Sequence, residues 1–231
     1  MKSRLYTILL AGLLLMPVVV SATDSSGEVR TLSEHPQVRA ALDHLVEMGE
    51  ELLVDLVELT EIPAPPFGEG PRGERFAEML SQAGLTDITI DEAGNVIGRR
   101  PGRDGRRVIA LTAHLDTVFP IETDVTVHVE GDTYTAPGVG DNTRGVVVLL
   151  GILRALEQAE IDTAADVLFI GNTGEEGLGD LRGVKHLFRD GGPQIDAMIA
   201  IDGGSTGRLV YGGVGSHRYR ITFKGPGGHS W

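Results

Sequence analysis

The 231-residue sequence contains no cysteine. That absence excludes disulfides, thiolate metal sites, a cysteine nucleophile and a lipid-modified cysteine anchor. A transition metal in this chain would have to be held by His, Asp and Glu. Basic residues are also scarce: 20 Lys and Arg stand against 33 Asp and Glu, a formal charge of −13. That balance argues against nucleic acid as a partner, since binding it needs a basic face to neutralise phosphates. No internal repeat or low-complexity stretch follows the first residues. The remaining composition, 41% hydrophobic and 23% charged, is that of a globular chain.

What is present begins with a leader pattern. Lys2 and Arg4 precede an apolar run over 5–20, and Val20-Ser21-Ala22 offers small residues for cleavage. Residues 1–22 are therefore expected to be a signal peptide. The run is short for a membrane span, so no stable anchor is expected after cleavage. The mature protein is expected in the periplasm or outside the cell.

Residues 23–33 are polar and small and read as a mobile mature terminus. Val38, Leu42, Leu45, Leu52, Leu53, Leu56, Val57 and Leu59 recur at helical steps until Pro63, Pro65 and Pro66. A second helix is expected over about 73–83, stopping at Gly84. Hairpins are expected around Glu92-Ala93-Gly94 and around Gly131-Asp132. The apolar runs 108–112 and 167–170 read as buried strands. A long helix is expected over about 144–159, a short one over 181–189, a strand over 197–201 and an alternating edge strand over 211–224. Strands alternating with helices predict an α/β fold, a mixed sheet flanked by helices.

The chemistry-bearing residues follow the apolar strands, where sites gather in open α/β sheets. His114-Leu115-Asp116 closes the first buried strand. Residues two apart share a side of an extended chain, so one can bind a metal while the other supports the imidazole. Asp141 in Gly138-Val139-Gly140-Asp141-Asn142 opens the long helix, where alone it would be a helix cap. No Gly-Lys-Ser/Thr follows these glycines and a strand-to-helix dinucleotide spacing is missing, which argues against a phosphate loop. Glu175 and Glu176 follow the strand 167–170. Adjacent carboxylates beside a buried strand repel each other, and a cation relieves that repulsion. Asp202, before Gly203-Gly204, would alone be a turn residue. Four strand ends in succession with metal-compatible side chains are not expected of unrelated caps and turns.

As a set these segments resemble the M20 metallopeptidases, including carboxypeptidase G2-like and T-type peptidases. The matching pieces are Ala113-His114-Leu115-Asp116-Thr117-Val118, Gly138-Val139-Gly140-Asp141-Asn142-Thr143-Arg144-Gly145, Thr173-Gly174-Glu175-Glu176-Gly177, Ile201-Asp202-Gly203-Gly204 and Gly225-Pro226-Gly227-Gly228-His229-Ser230. The resemblance implies a zinc-dependent hydrolase of peptide or N-acyl amide bonds in small substrates. His114 and Asp202 would bind one zinc, with Asp116 orienting the imidazole. Asp141 would bridge two zincs through a residue whose peptide bond to Asn142 is cis. Glu175 would be the general base and Glu176 a ligand of the second zinc. His229 would sit in a lid and help hold the intermediate or the substrate's carboxylate. Cobalt and manganese suit the same donors.

The resemblance also sets domain expectations: a catalytic domain over 23–210 and the start of an α+β lid or dimerisation domain over 211–231, through which a homodimer would form. It implies a further histidine ligand from a distant carboxy-terminal segment that these residues do not contain. His35, His44, His128, His186 and His217 are not expected to replace it. The second metal position would then hold only Asp141 and Glu176, and this chain alone is expected to be inactive. The alternatives are a truncated or non-catalytic metal-binding homologue and an M28-type aminopeptidase, which shares the ligand order. Gly227-Gly228-His229-Ser230 favours M20. Specificity would reside in 63–70, the lid and missing regions.

Overall fold

The computed structural model describes residues 25–204, 207–213, 215 and 219–228. The leader, His217 and His229 lie outside the described residues.

The β-branched and aromatic run Asp166–Asn172 forms β6, buried at all seven positions. It is the middle strand of a five-stranded sheet ordered β1-β2-β6-β3-β7. Here β1 is Asp87–Ile90, β2 Val96–Arg100, β3 Val108–His114 and β7 Ala197–Ala200. β6 pairs parallel with β3, which pairs parallel with β7, while β2 and β1 run antiparallel. The sheet is thus mixed, as the alternation of elements predicts.

Alternate residues of β6 face opposite layers. Val167 and Phe169 join Leu56, Leu59, Phe76, Met79, Leu149, Leu150 and Leu153 in the larger core. These come from α3 (Gly49–Thr60), α4 (Gly70–Gln82) and α5 (Arg144–Gln158). Leu168 and Ile170 turn the other way, packing with Ala110 and Leu187 of α6 (Arg182–Leu187). The two faces hold the central strands in place, so their carboxyl ends form one fixed rim.

Three expectations change. The apolar pattern over 38–59 is two helices, α2 (Pro36–Glu47) and α3, parted at Met48 with φ −85° and ψ 9°. The segment 23–33 contains a helix, α1 (Ser26–Ser33), none of whose residues is buried. No described residue of 211–224 belongs to a strand. Its alternation is real, but a strand requires a paired neighbour, and no described strand pairs with it. The remaining strands, β4 (His128–Glu130) and β5 (Thr133–Thr135), form a separate hairpin. Among the described residues, no helix is long and apolar enough to cross a membrane.

Candidate metal centre

The rim brings together the ends of β3, β6 and β7 with the irregular turn Val139–Thr143 ahead of α5. His114 is the last residue of β3 and only 4% exposed. Its Nε2 lies 3.0 Å from Asp141 Oδ1 and 3.6 Å from Asp202 Oδ1. Its Nδ1 lies 2.9 Å from the main-chain carbonyl of Asp116. The imidazole is therefore fixed on one side and aimed at two carboxylates with the other.

Two groups of donors form, each with its donor atoms within 4.8 Å of one another: His114, Asp141 and Asp202; and His114, Glu175 and Glu176. The first is the trio expected from sequence. The second joins the paired glutamates to the same imidazole. Among the described residues, no such group contains both Asp141 and Glu176. No other described histidine enters either group: His44 pairs with Glu47, and His186 lies 3.8 Å from Asp91.

Asp141 is carried by a non-helical residue, φ −129° and ψ 94°, and its peptide bond to Asn142 is cis, as the resemblance implies. Asn142 is buried, and its Nδ2 donates to the Ile201 carbonyl at 2.8 Å. That bond ties the Asp141 turn to the residue before Asp202. Gly145 leaves the room this requires, because a Cβ there would lie 2.2 Å from Asn142 Oδ1.

Asp116 meets the imidazole through its main-chain carbonyl, and its carboxylate turns to the loop of the paired glutamates. Its carboxylate is fully buried and stands 3.7 Å from His114 Nδ1. Oδ1 accepts from the Glu175 amide at 3.0 Å and Oδ2 from the Glu176 amide at 2.8 Å. Burial alone would raise its pKa. His114 and the two amides outweigh burial and hold it below the usual carboxylate range.

Arg72, Glu69 and Asn95 support the site and were not singled out from sequence. The Arg72 guanidinium is 1% exposed and donates to the carbonyls of Leu115, Ile62 and Thr60. Burial pushes its pKa down to about 10, against the opposing pull of Asp116. Asn95 accepts from the Thr173 amide and donates to the Gly183 carbonyl. Glu69 accepts from the Gly174 amide. Each fixes backbone, and none of the three belongs to the donor groups.

The electrostatics favour a cation. Burial tends to lower the His114 pKa, but Asp116, Asp202 and Glu175 raise it to about 9. Burial and neighbouring acids raise Glu175 and Glu176. Five carboxylates thus crowd one imidazole. A mixed His/carboxylate set with no thiol suits zinc and comparable divalent ions, so the residues present fit such an ion.

The mixed five-stranded sheet with flanking helices is the α/β fold of a peptidase catalytic domain, and the model of peptidase family M28 matches residues 95–218, more than half of the chain. The chain belongs to that family, within the zinc-peptidase superfamily that M28 shares with M20. It is similar to carboxypeptidase G2 of a Pseudomonas species, 27% identical over 172 residues, which cover 71% of this chain and 41% of that protein. A Pyrococcus abyssi protein assigned as a LysW-lysine/LysW-ornithine hydrolase is 34% identical over 129 residues, covering 56% of this chain and 34% of that one. Among solved structures, a Staphylococcus aureus tripeptidase superposes with a TM-score of 0.57 at 26% identity, covering 68% of this chain and 44% of that one. The chain thus spans well under half the length of the curated relatives it matches.

Proposed function

We propose that the whole protein is a zinc-dependent hydrolase that cleaves peptide or N-acyl amide bonds in small substrates. The observation that carries this reading is the convergence of His114 Nε2 on Asp141 and Asp202, with Glu175 and Glu176 held beside them by Asp116. His114, Asp141 and Asp202 would hold one ion, and Glu176 would contribute to a second. Such an ion supplies Lewis acidity, polarising the scissile carbonyl and making water acidic.

The remaining chemistry falls to the chain itself. A carboxylate oxygen of Glu175 accepts a proton from the attacking water. The same oxygen then delivers that proton to the leaving nitrogen as the C–N bond breaks. Its raised pKa, caused by burial and then by Asp202, Asp116 and Asp141 against the opposing pull of His114, suits both steps. The tripeptidase likeness supports short peptides as substrates. The match to family M28 favours a second reading, an aminopeptidase. Aminoacyl anilides and N-acyl amino acids, offered side by side, separate the two.

The test is Glu175→Gln in the whole protein loaded with zinc. Hydrolysis should fall by at least about a thousandfold, with zinc content unchanged. Loss of zinc instead would mean that Glu175 is a ligand and the two glutamates have exchanged roles. The leader pattern supports export. Fusing residues 1–24 to a periplasmic reporter should carry it out of the cytoplasm, and retention inside would end that part of the reading.

A further inference from the structure

Gly174, Glu175 and Glu176 present three successive backbone N–H groups, and each ends on a buried carboxylate. Asp116 takes the second and third. The first goes to Glu69, which lies far away in sequence at the start of α4 and is only 3% exposed. Glu69 Oε1 accepts from the Gly174 amide at 3.1 Å, and Oε2 accepts from Arg182 Nη2 at 2.7 Å. Arg182 is the first residue of α6, where the loop carrying the two glutamates ends. One carboxylate therefore joins both ends of that loop.

The packing around this contact is close. A Cβ at Gly174 would lie 2.2 Å from Arg182 Nη1, so the loop backbone rests directly on the guanidinium. That guanidinium also lies over the Phe67 ring, 4.5 Å from its centroid. Without Glu69, the buried Gly174 amide would lose its acceptor and Arg182 its only ion-pair partner among the described residues. Such groups are costly to leave unmade, and the loop would move to meet water.

We propose that Glu69 is a positioning residue. By holding the Gly174 amide and Arg182 together, it sets where Glu175 and Glu176 stand relative to His114. This rests on the roles given to those two glutamates above, but its test needs no turnover.

Hydrogen exchange of the full chain, free of metal, reads the clamp directly. In Glu69→Ala the Gly174 amide should exchange at least about tenfold faster, with the β6 amides unchanged. Glu69→Gln keeps the volume and one carbonyl oxygen, so it should lie between Glu69→Ala and the parent. Cobalt(II) then probes the consequence. Its visible spectrum should change in Glu69→Ala and return towards that of the parent in Glu69→Gln. Unchanged Gly174 exchange in a folded Glu69→Ala chain overturns the proposal. So does loss of protection spread evenly over the sheet, which marks a merely structural residue. If Glu69→Ala does not fold, Glu69→Gln decides, and exchange less than about twofold faster at Gly174 counts against the clamp. A parent chain that binds no cobalt sinks the functional reading, while the exchange measurement still decides on Glu69.

Discussion

In the metal-free chain, a proton on His114 takes the place of the ion. Both ring nitrogens face acceptors: Nδ1 the Asp116 carbonyl at 2.9 Å, and Nε2 the Asp141 carboxylate at 3.0 Å. An imidazolium donates to both, and the carboxylates of Asp116 first, then Asp202 and Glu175, favour its charge. Burial opposes the charge but loses, and the pKa stands near 9 against an ordinary 6.5. A histidine raised on folding stabilises the fold fully below its unfolded pKa, and that stability is lost as pH rises through the folded value. The difference corresponds to about 3 kcal/mol, at roughly 1.4 kcal/mol per pH unit. Metal-free chain should therefore lose about that much unfolding free energy between pH 6.5 and pH 9. Asp116 is held below the carboxylate range and titrates on the acid side of this window. Urea denaturation at a series of pH values in the presence of chelator measures the loss, and His114→Gln should flatten it. Zinc competes with the same proton, so its apparent affinity should climb by about tenfold per pH unit up to pH 9. A stability profile that is flat from pH 6.5 to 9, or equally steep in His114→Gln, would refute the reasoning.

Two further substitutions test the framework behind the donors. Gly174→Ala sets a Cβ against Arg182 Nη1 and 3.0 Å from the Gly179 carbonyl, at a backbone φ of +66°. It should cost about 2 kcal/mol, read from the urea midpoint, and an unchanged midpoint would mean that the loop is looser than described. Arg72→Met leaves the carbonyls of Leu115, Ile62 and Thr60 without their donor. A loss of about 3 kcal/mol is expected, and a loss below about 1 kcal/mol would show that water reaches those carbonyls.

The donors were legible because strands announce themselves. The run 108–112 predicts a buried strand whose next polar residue emerges at the rim, and that residue is His114. The same logic places Glu175 after β6 and Asp202 after β7. The supporting residues carry no such signal. Glu69, Arg72 and Asn95 are single polar residues whose partners include main-chain groups, some as far as 88 or 105 positions away. Periodicity reports which face of an element is buried, and says nothing about a lone carboxylate that turns inward. The break at Met48 is hidden for a related reason. Apolar residues of α2 and of α3 both pack against α5, so the apolar pattern continues across the joint. The helix α1 was invisible to a pattern search because it buries no residue.

These supporting contacts explain how exposed acids can be ready for an ion. Asp141 and Asp202 side chains are 63% and 57% exposed, and an exposed carboxylate ordinarily samples several rotamers. Their main chains do not have that freedom. Asn142 ties one turn to the other through the Ile201 carbonyl, and Gly203 packs with its Cβ direction 3.3 Å from Asp141 Cβ. On the opposite side, Asp116 holds the backbone of the two glutamates, and Glu69 that of Gly174 just before them, rather than their carboxylates. Fixing the backbone leaves the side-chain oxygens with lone pairs to offer, whereas direct hydrogen bonds to those oxygens would compete with an ion. The ordering cost is then met at folding, and binding has only a few side-chain rotamers left to restrict. A site built this way gains its affinity from preorganised loops. Its most sensitive positions therefore include buried residues such as Glu69 and Asn142, which belong to neither donor group.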